Sequence, residues 1–299
     1  MNPRLKAYLQ LCRPANLPTA AADILAGMSI SGLFAGLGVF ELPIVDLPPF
    51  FMLIMASVFL YAGGVVLNDV FDVEIDKIER PERPIPSGVV PLKMAGLFGS
   101  ILLLVGICLA FLVNRDCGLI SILLALAILS YDKFAKHHAF LGPLNMGVCR
   151  GLNLLMGISL LNTTENWPYV LVPIVFIFAV TMISRGEVHG KNKGNILLAG
   201  LLYVVVLIGV FYLHQVHANG DLWYMMFLGL FAFMVFKPLI KAYQSNTPGN
   251  IKKAVKSGVL SIILLDAALA VAHANIILGI VMLLLLPLSI FLAKQFAVT

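Results

Sequence analysis

The sequence predicts an all-α protein that crosses a membrane nine or ten times, and three observations carry that prediction. Hydrophobic residues make up 60% of the 299 residues and charged residues only 12%, where soluble domains carry roughly a quarter charged. The apolar residues gather into ten runs at about 18–38, 50–70, 93–113, 118–134, 140–161, 168–185, 195–215, 222–241, 253–272 and 275–296, the last two also readable as one broken span. Each is close to the ~20 residues that cross a hydrocarbon core. Threading the runs in order puts 18 of the 20 Lys and Arg on one side, leaving only Arg115 in an outer turn and Arg150 inside a run. This is the positive-inside pattern, so both termini and the polar loops are expected at the cytoplasm, most simply of a bacterial inner membrane. No polar linker is long enough to divide the chain, and residues 1–299 are expected to form one domain. The net charge of +5 follows from this topology and calls for no nucleic acid.

In chain order, residues 1–18 read as an amphipathic lead-in lying on the membrane surface, with Leu5, Leu9 and Leu11 against Arg4, Lys6 and Arg13. Pro14 and Asn16 then open the first span, where Asp23 is costly in hydrocarbon unless it faces a cavity. Glu41 and Asp46 belong to an outer loop. The second span ends in Asn68, Asp69, Asp72, Glu74 and Asp76, followed by Lys77, Arg80 and Arg83. On one helix continued to Asp76, Asn68, Asp72 and Asp76 share a face and Asp69 stands beside it. Carboxylates so close repel unless a cation sits among them, and an oxygen-only donor set suits Mg²⁺. Arg80 and Arg83 offer the forked donors that phosphate favours. The group reads as a diphosphate clamp, although a solvated loop at a helix end explains the same residues without function. Prolines 81, 84, 86 and 91 then impose a loop over the mouth, of a length often found in lids.

The stretch also resembles the first signature of the UbiA superfamily of intramembrane prenyltransferases, N-D-x-x-D-x-x-x-D followed by R-P-x-R-P-[IL]-P-S-G. It is matched at Asn68, Asp69, Asp72, Asp76, Arg80, Pro81, Arg83, Pro84, Ile85, Pro86, Ser87 and Gly88. The resemblance implies a helical bundle with a bilayer-embedded cavity, a prenyl diphosphate held through Mg²⁺, and transfer of the prenyl group to an acceptor whose identity stays open. It implies metal ligands at Asn68, Asp69, Asp72 and Asp76, and places Asn16 in the cavity.

Spans three and four are nearly featureless and read as packing helices. The loop after them carries Tyr131, Lys133, Lys136, His137 and His138, and Tyr131 with Lys136 resembles the family's Y-x-x-x-x-K pattern. The resemblance puts Lys136 on diphosphate. Span five holds Asn145, Arg150 and Asn153; Arg150 costs at least about 2.5 kcal/mol in hydrocarbon unless it faces a cavity or partner. Gly147 and Gly151 form a small-residue stripe for close helix packing. Span six ends in SRGEVHGKNKGN, where the family's second acidic pair, D-x-x-x-D, is expected; here Glu187 is followed four residues later by Lys191. That variant resembles an EboC-type subgroup. By the resemblance Glu187 joins the metal site and Arg185 and Arg83 contact diphosphate or acceptor; His189, two residues from Glu187, reads as a base or ligand, with a solvated loop histidine as the alternative. The missing carboxylate leaves a second outcome open, an isoprenoid-lipid binder or export-coupled component that keeps the fold without catalysis. His214, His217 and Trp223 read as an interfacial belt, and the basic loop 241–258 as lying against anionic headgroups. Asp266 is an intramembrane acid without an evident partner.

Overall fold

The computed structural model describes residues 2–36, 47–162, 165–188, 190–217 and 222–296, and among them there are helices and turns but no strand. The short α1 (Pro3–Leu11) is capped by Asn2, whose side chain accepts from the Arg4 amide at 2.9 Å. Arg13, in the left-handed region at φ 47°, turns the chain through a 3₁₀ turn at Pro14–Asn16 into α2 (Leu17–Ile30). α3 (Leu47–Phe71) leads into the short α4 (Val73–Glu79), and the proline-rich loop returns to α5 (Leu92–Val113). Then come α6 (Arg115–Lys133), a 3₁₀ turn at Ala135–His137, α7 (Leu141–Ile158), α8 (Leu171–Ser184) and α9 (Lys193–His217). The chain closes with α10 (Tyr224–Gln244), α11 (Pro248–His273), and a last rod broken at Leu284 into α12 (Ile276–Leu283) and α13 (Leu285–Phe296).

Every predicted run contains a helix among the described residues, and the protein is a multi-pass membrane bundle. Eight helices among the described residues are long and apolar enough to cross a membrane. The other two are instructive. α2 stops at Ile30 rather than running to 38, because Gly32 and Gly36 take φ of 90° and 79° and turn the chain out of the helix. α6 carries Arg115, Asp116, Asp132 and Lys133 at its two ends. Glu41 and Asp46 lie outside the described residues.

The centre of the bundle is α2 with α11. In α11 every residue from Ser261 to Ala272 is buried, as a helix apolar on all sides requires. α2 meets α7 backbone to backbone: a Cβ added at Gly27 would lie 2.4 Å from the Leu154 carbonyl oxygen and 2.7 Å from the Gly157 Cα. This approach carries the polar residues of α2 within reach of Arg150 and Asn153. The Gly147 and Gly151 stripe packs as expected, a Cβ at Gly147 falling 2.5 Å from the Ile174 carbonyl oxygen of α8. A smaller core forms at the charged end, where Ala7 and Leu11 of α1 and Ile85 and Val90 of the proline-rich loop pack on Ala62 and Val66. The loop is thereby pinned to the bundle at two apolar points. His214, expected in an interfacial belt, is instead 5% exposed and stacks on Tyr224 with ring centroids 4.0 Å apart.

Candidate functional site

The second-span helix does not run straight to Asp76. It swivels at Asp72 (φ −90°, ψ 6°), while the Asp72 amide still donates to Asn68 O at 2.9 Å and the Asp76 amide to Asp72 O at 2.8 Å. The acidic residues therefore stay in near-helical register but divide between two sides. Asp69 and Asp76, seven residues apart, both face Arg83, whose Nη1 donates to Asp76 Oδ2 at 2.6 Å and to Asp69 Oδ1 at 3.3 Å. Arg13 Nη2 adds a 2.5 Å bond to Asp69 Oδ1. Asn68 and Asp72, four apart, face the end of α6 and the turn after it. Asn68 Nδ2 donates to Asp132 Oδ1 at 2.8 Å, and Lys136 Nζ to Asp72 Oδ1 at 2.5 Å. Cations from three separate segments thus relieve the repulsion among the aspartates. The Asp69 and Asp76 side chains are 8% and 6% exposed and Asp72 23%, so Asp72 is the aspartate most open to an incoming ligand.

Below this clamp a cavity of about 220 Å³ enters the bundle, with Arg13, Asn68, Tyr61, Asp132, Arg150 and Asn153 among its lining residues. Asp132 Oδ2 is buried there without a donor. At the inner wall, Arg150 Nη1 donates to Asp23 Oδ2 at 2.7 Å and Nη2 to Thr19 Oγ1 at 2.5 Å, and Asn153 Nδ2 donates to the same Asp23 oxygen at 2.8 Å. Ser57 Oγ donates to Asn153 Oδ1 at 2.8 Å, and the Tyr61 ring lies 5.4 Å from the Arg150 guanidinium. Asp266 of α11 also acts on Asp23 and Arg150, which supplies the partner its sequence position does not show.

The remaining predicted residues spread around this centre. Asn16 lines a separate cavity of about 370 Å³ on the far side of the Arg13–Asp69 pair, with Arg83 and Lys256. Asn145 sits on α7, accepting from Cys149 Sγ at 3.6 Å. Arg185 donates to the His138 carbonyl at 2.7 Å and shares a cleft of about 280 Å³ with Tyr131 and Lys136. Glu187 is half-buried in the turn after α8; burial raises its carboxyl above the usual glutamate range, opposed by Lys252 and Arg80. Arg80 follows α4, so the α8–α9 turn and the clamp loop meet electrostatically at this end. His189 lies outside the described residues. Among the described residues no group of three or more His, Cys, Asp and Glu is gathered around a point. Thr19, Ser57, Tyr61 and Asp132 were not anticipated. Asp132 alone left a signal, an acidic residue ending an apolar run beside Tyr131, overshadowed by the basic loop that follows.

A helical membrane bundle with an acid–base clamp over a polar-walled, intramembrane cavity defines the class. Residues 28–185 match the UbiA prenyltransferase family, slightly more than half of the chain, and the chain belongs to that family. It is 41% identical over 161 residues to a digeranylgeranylglyceryl phosphate synthase of Methanococcoides burtonii, covering 51% of this chain and 54% of the relative. The same-named protein of Saccharolobus solfataricus is 32% identical over 64% of each chain, and that of Sulfurisphaera tokodaii 34% identical over 69% of this chain and 71% of its own. The matched segment thus spans about half to two thirds of the first two relatives. Among solved structures, one concerning digeranylgeranylglyceryl phosphate synthase in membranes superposes with a TM-score of 0.68 at 24% identity, over 90% of this chain and 98% of the other. A UbiA homologue of Archaeoglobus fulgidus bound to GPP and Mg²⁺ superposes with a TM-score of 0.62 at 12% identity, over 89% of this chain and all of the other. These likenesses show the fold.

Proposed function

We propose that the protein transfers a prenyl group from a Mg²⁺-bound prenyl diphosphate to a lipid acceptor inside the bilayer, with its charged end toward the cytoplasm. The observation that carries this reading is the juxtaposition of a solvent-facing carboxylate, Asp72, and an orphaned one, Asp132 Oδ2, with Asn68 above a cavity walled by Arg150. Asn68, Asp72 and Asp132 present hard oxygen donors, which fit Mg²⁺. The ion would neutralise the diphosphate and ease departure of the leaving group. Lys136 and Arg83 then shift from carboxylate to phosphate oxygens, Lys136 as a point charge and Arg83 as a fork. Asp69 and Asp76 hold Arg13 and Arg83 at the mouth; Glu187 with Arg80 and Arg185 with Lys136 extend the charged rim. When the allylic C–O bond breaks, its electron pair leaves on the diphosphate oxygen; the acceptor's hydroxyl oxygen bonds to the freed prenyl carbon and its proton passes to the departing diphosphate. Leu124, Ile128 and Met146 along the cavity exclude water from the carbocation. The relatives' name describes a product with two geranylgeranyl groups on glyceryl phosphate, which supports an anionic glyceryl isoprenoid as acceptor. The expected result is a mass-resolved prenylated glyceryl phosphate when protein, Mg²⁺, a prenyl diphosphate and such an acceptor are combined in vesicles.

A second reading, binding without transfer, draws on Lys191, which stands four residues after Glu187 where the family pattern has an aspartate. Diphosphate retained on the protein with no product in any donor and acceptor combination would favour it.

A further inference from the structure

Away from the clamp, a trough of about 700 Å³ runs between α10 and the α12–α13 rod with α11 as its floor, within the size range of ligand sites. Its walls are hydrocarbon, formed by Leu230, Phe233, Met234, Leu264, Leu283 and Leu286, and Lys237, Lys241 and Lys253 stand at one end. The wall is built to stay dry. Pro238 inside α10 has no N–H to give the Met234 carbonyl four residues back, and Ser257 Oγ of α11 donates to that same oxygen at 2.7 Å. No backbone acceptor freed by the proline is left facing lipid, as a bilayer demands. The lysines are exposed, and among the described residues none of the three joins an ion pair; Lys237 rests over Phe233, 5.1 Å from its centroid. They lie at the same end as the clamp, since Lys252, next to Lys253, and Arg80, next to α4, both act on Glu187.

We propose that this trough binds one anionic glycerophospholipid, with a hydrocarbon chain along the apolar walls and the phosphate among Lys237, Lys241 and Lys253. Charge complementarity selects this occupant. A soluble anion would leave the trough unfilled within the bilayer, a zwitterionic lipid would leave three cations uncompensated, and a second copy packed symmetrically would bring two lysine sets together. The site stands apart from the prenyl-transfer reading, and lipid retention is counted without any reaction.

The test is native mass spectrometry of the full chain released from vesicles of equal phosphatidylglycerol and phosphatidylcholine. One phosphatidylglycerol is expected to stay bound in preference to phosphatidylcholine. The triple variant Lys237→Gln, Lys241→Gln, Lys253→Gln is expected to weaken that retention about a hundredfold. A control removing the same charge at Lys6, Lys93 and Lys294 leaves it unchanged. Leu286→Trp, which fills the trough without changing charge, lowers retention as well. Equal retention of both lipids, equal loss in the two triple variants, or a two-copy particle that excludes lipid from the trough overturns the proposal.

Discussion

Removing the Arg150 guanidinium is expected to be among the most damaging single changes in the bundle. Asp23 is 0% exposed and Arg150 8%, and the 2.7 Å contact between them is supported by Thr19 and Asn153. Arg150→Met leaves Asp23 and Asp266 facing one another with no cation, and breaking a buried pair in this way costs about 3–5 kcal/mol. Asp23→Asn is milder, about 1.5–3 kcal/mol for one hydrogen bond to a charged group, because Asp266 still compensates the guanidinium. In the double variant the orphaned charge of either single change is reduced, so its cost falls short of the sum by at least about 1 kcal/mol. Denaturant unfolding in mixed micelles, followed by fluorescence of Trp167 and Trp223, measures all four states. Arg150→Met within about 1 kcal/mol of the parent, or strict additivity in the cycle, would mean that the guanidinium does not compensate Asp23.

Three further outcomes follow from the same geometry. Gly27→Ala presses a methyl group into the Leu154 and Gly157 backbone and is expected to cost about 1–3 kcal/mol, whereas Gly96→Ala meets nothing within 4 Å and is expected to be neutral or stabilising by up to about 1 kcal/mol; paired melting curves decide it. Lys136→Ala frees Asp72 from its 2.5 Å partner, so Mg²⁺ alone is expected to bind more tightly while prenyl diphosphate binds more weakly, and calorimetry showing both moving the same way contradicts the assignment. Burial keeps the Glu187 carboxyl above the usual glutamate value, with Lys252 and Arg80 opposing, so the folded chain holds a proton that the unfolded chain has already released. Its contribution to stability therefore falls as pH rises from the unfolded value through the raised folded one. Glu187→Gln should gain on the parent across that window by less than about 1 kcal/mol, the side chain being partly solvated; equal melting differences below and above it count against this.

The parts of the fold that depend on period and length were legible from residues alone. Ten apolar runs became ten rods, and Asn68 through Asp76 kept their helical register even though the helix swivels at Asp72. What hydropathy could not express is which rods touch. The close approach of Gly27 to Gly157 pairs Asp23 and Asp266 with Arg150 across three helices, and no spacing within one helix encodes that. The division of the aspartates, with Asp69 and Asp76 toward Arg13 and Arg83 and Asp72 toward Lys136, depends on where a loop and a turn fold back. Asp132 carries no periodic signal, being one acid at a helix end, and its pairing with Asn68 exists only once the fold brings the two together. The apolar composition of α2 continues past Ile30 while its helical backbone, turned at Gly32, does not, so hydropathy alone overstates its length.

In the proposed reaction, the clamp at Asn68, Asp72 and Asp132 holds a Mg²⁺–prenyl diphosphate for ionisation. The most direct measurement is Mg²⁺-dependent release of labelled diphosphate from prenyl diphosphates by the purified protein in lipid nanodiscs that also contain an anionic glyceryl isoprenoid acceptor, compared with Asp72→Asn. Metal-dependent release is expected, falling at least about a hundredfold in the variant, roughly the loss that follows removal of a group stabilising transition-state charge. Release that persists in Asp72→Asn, or that proceeds equally well in chelator, would contradict this role of the clamp.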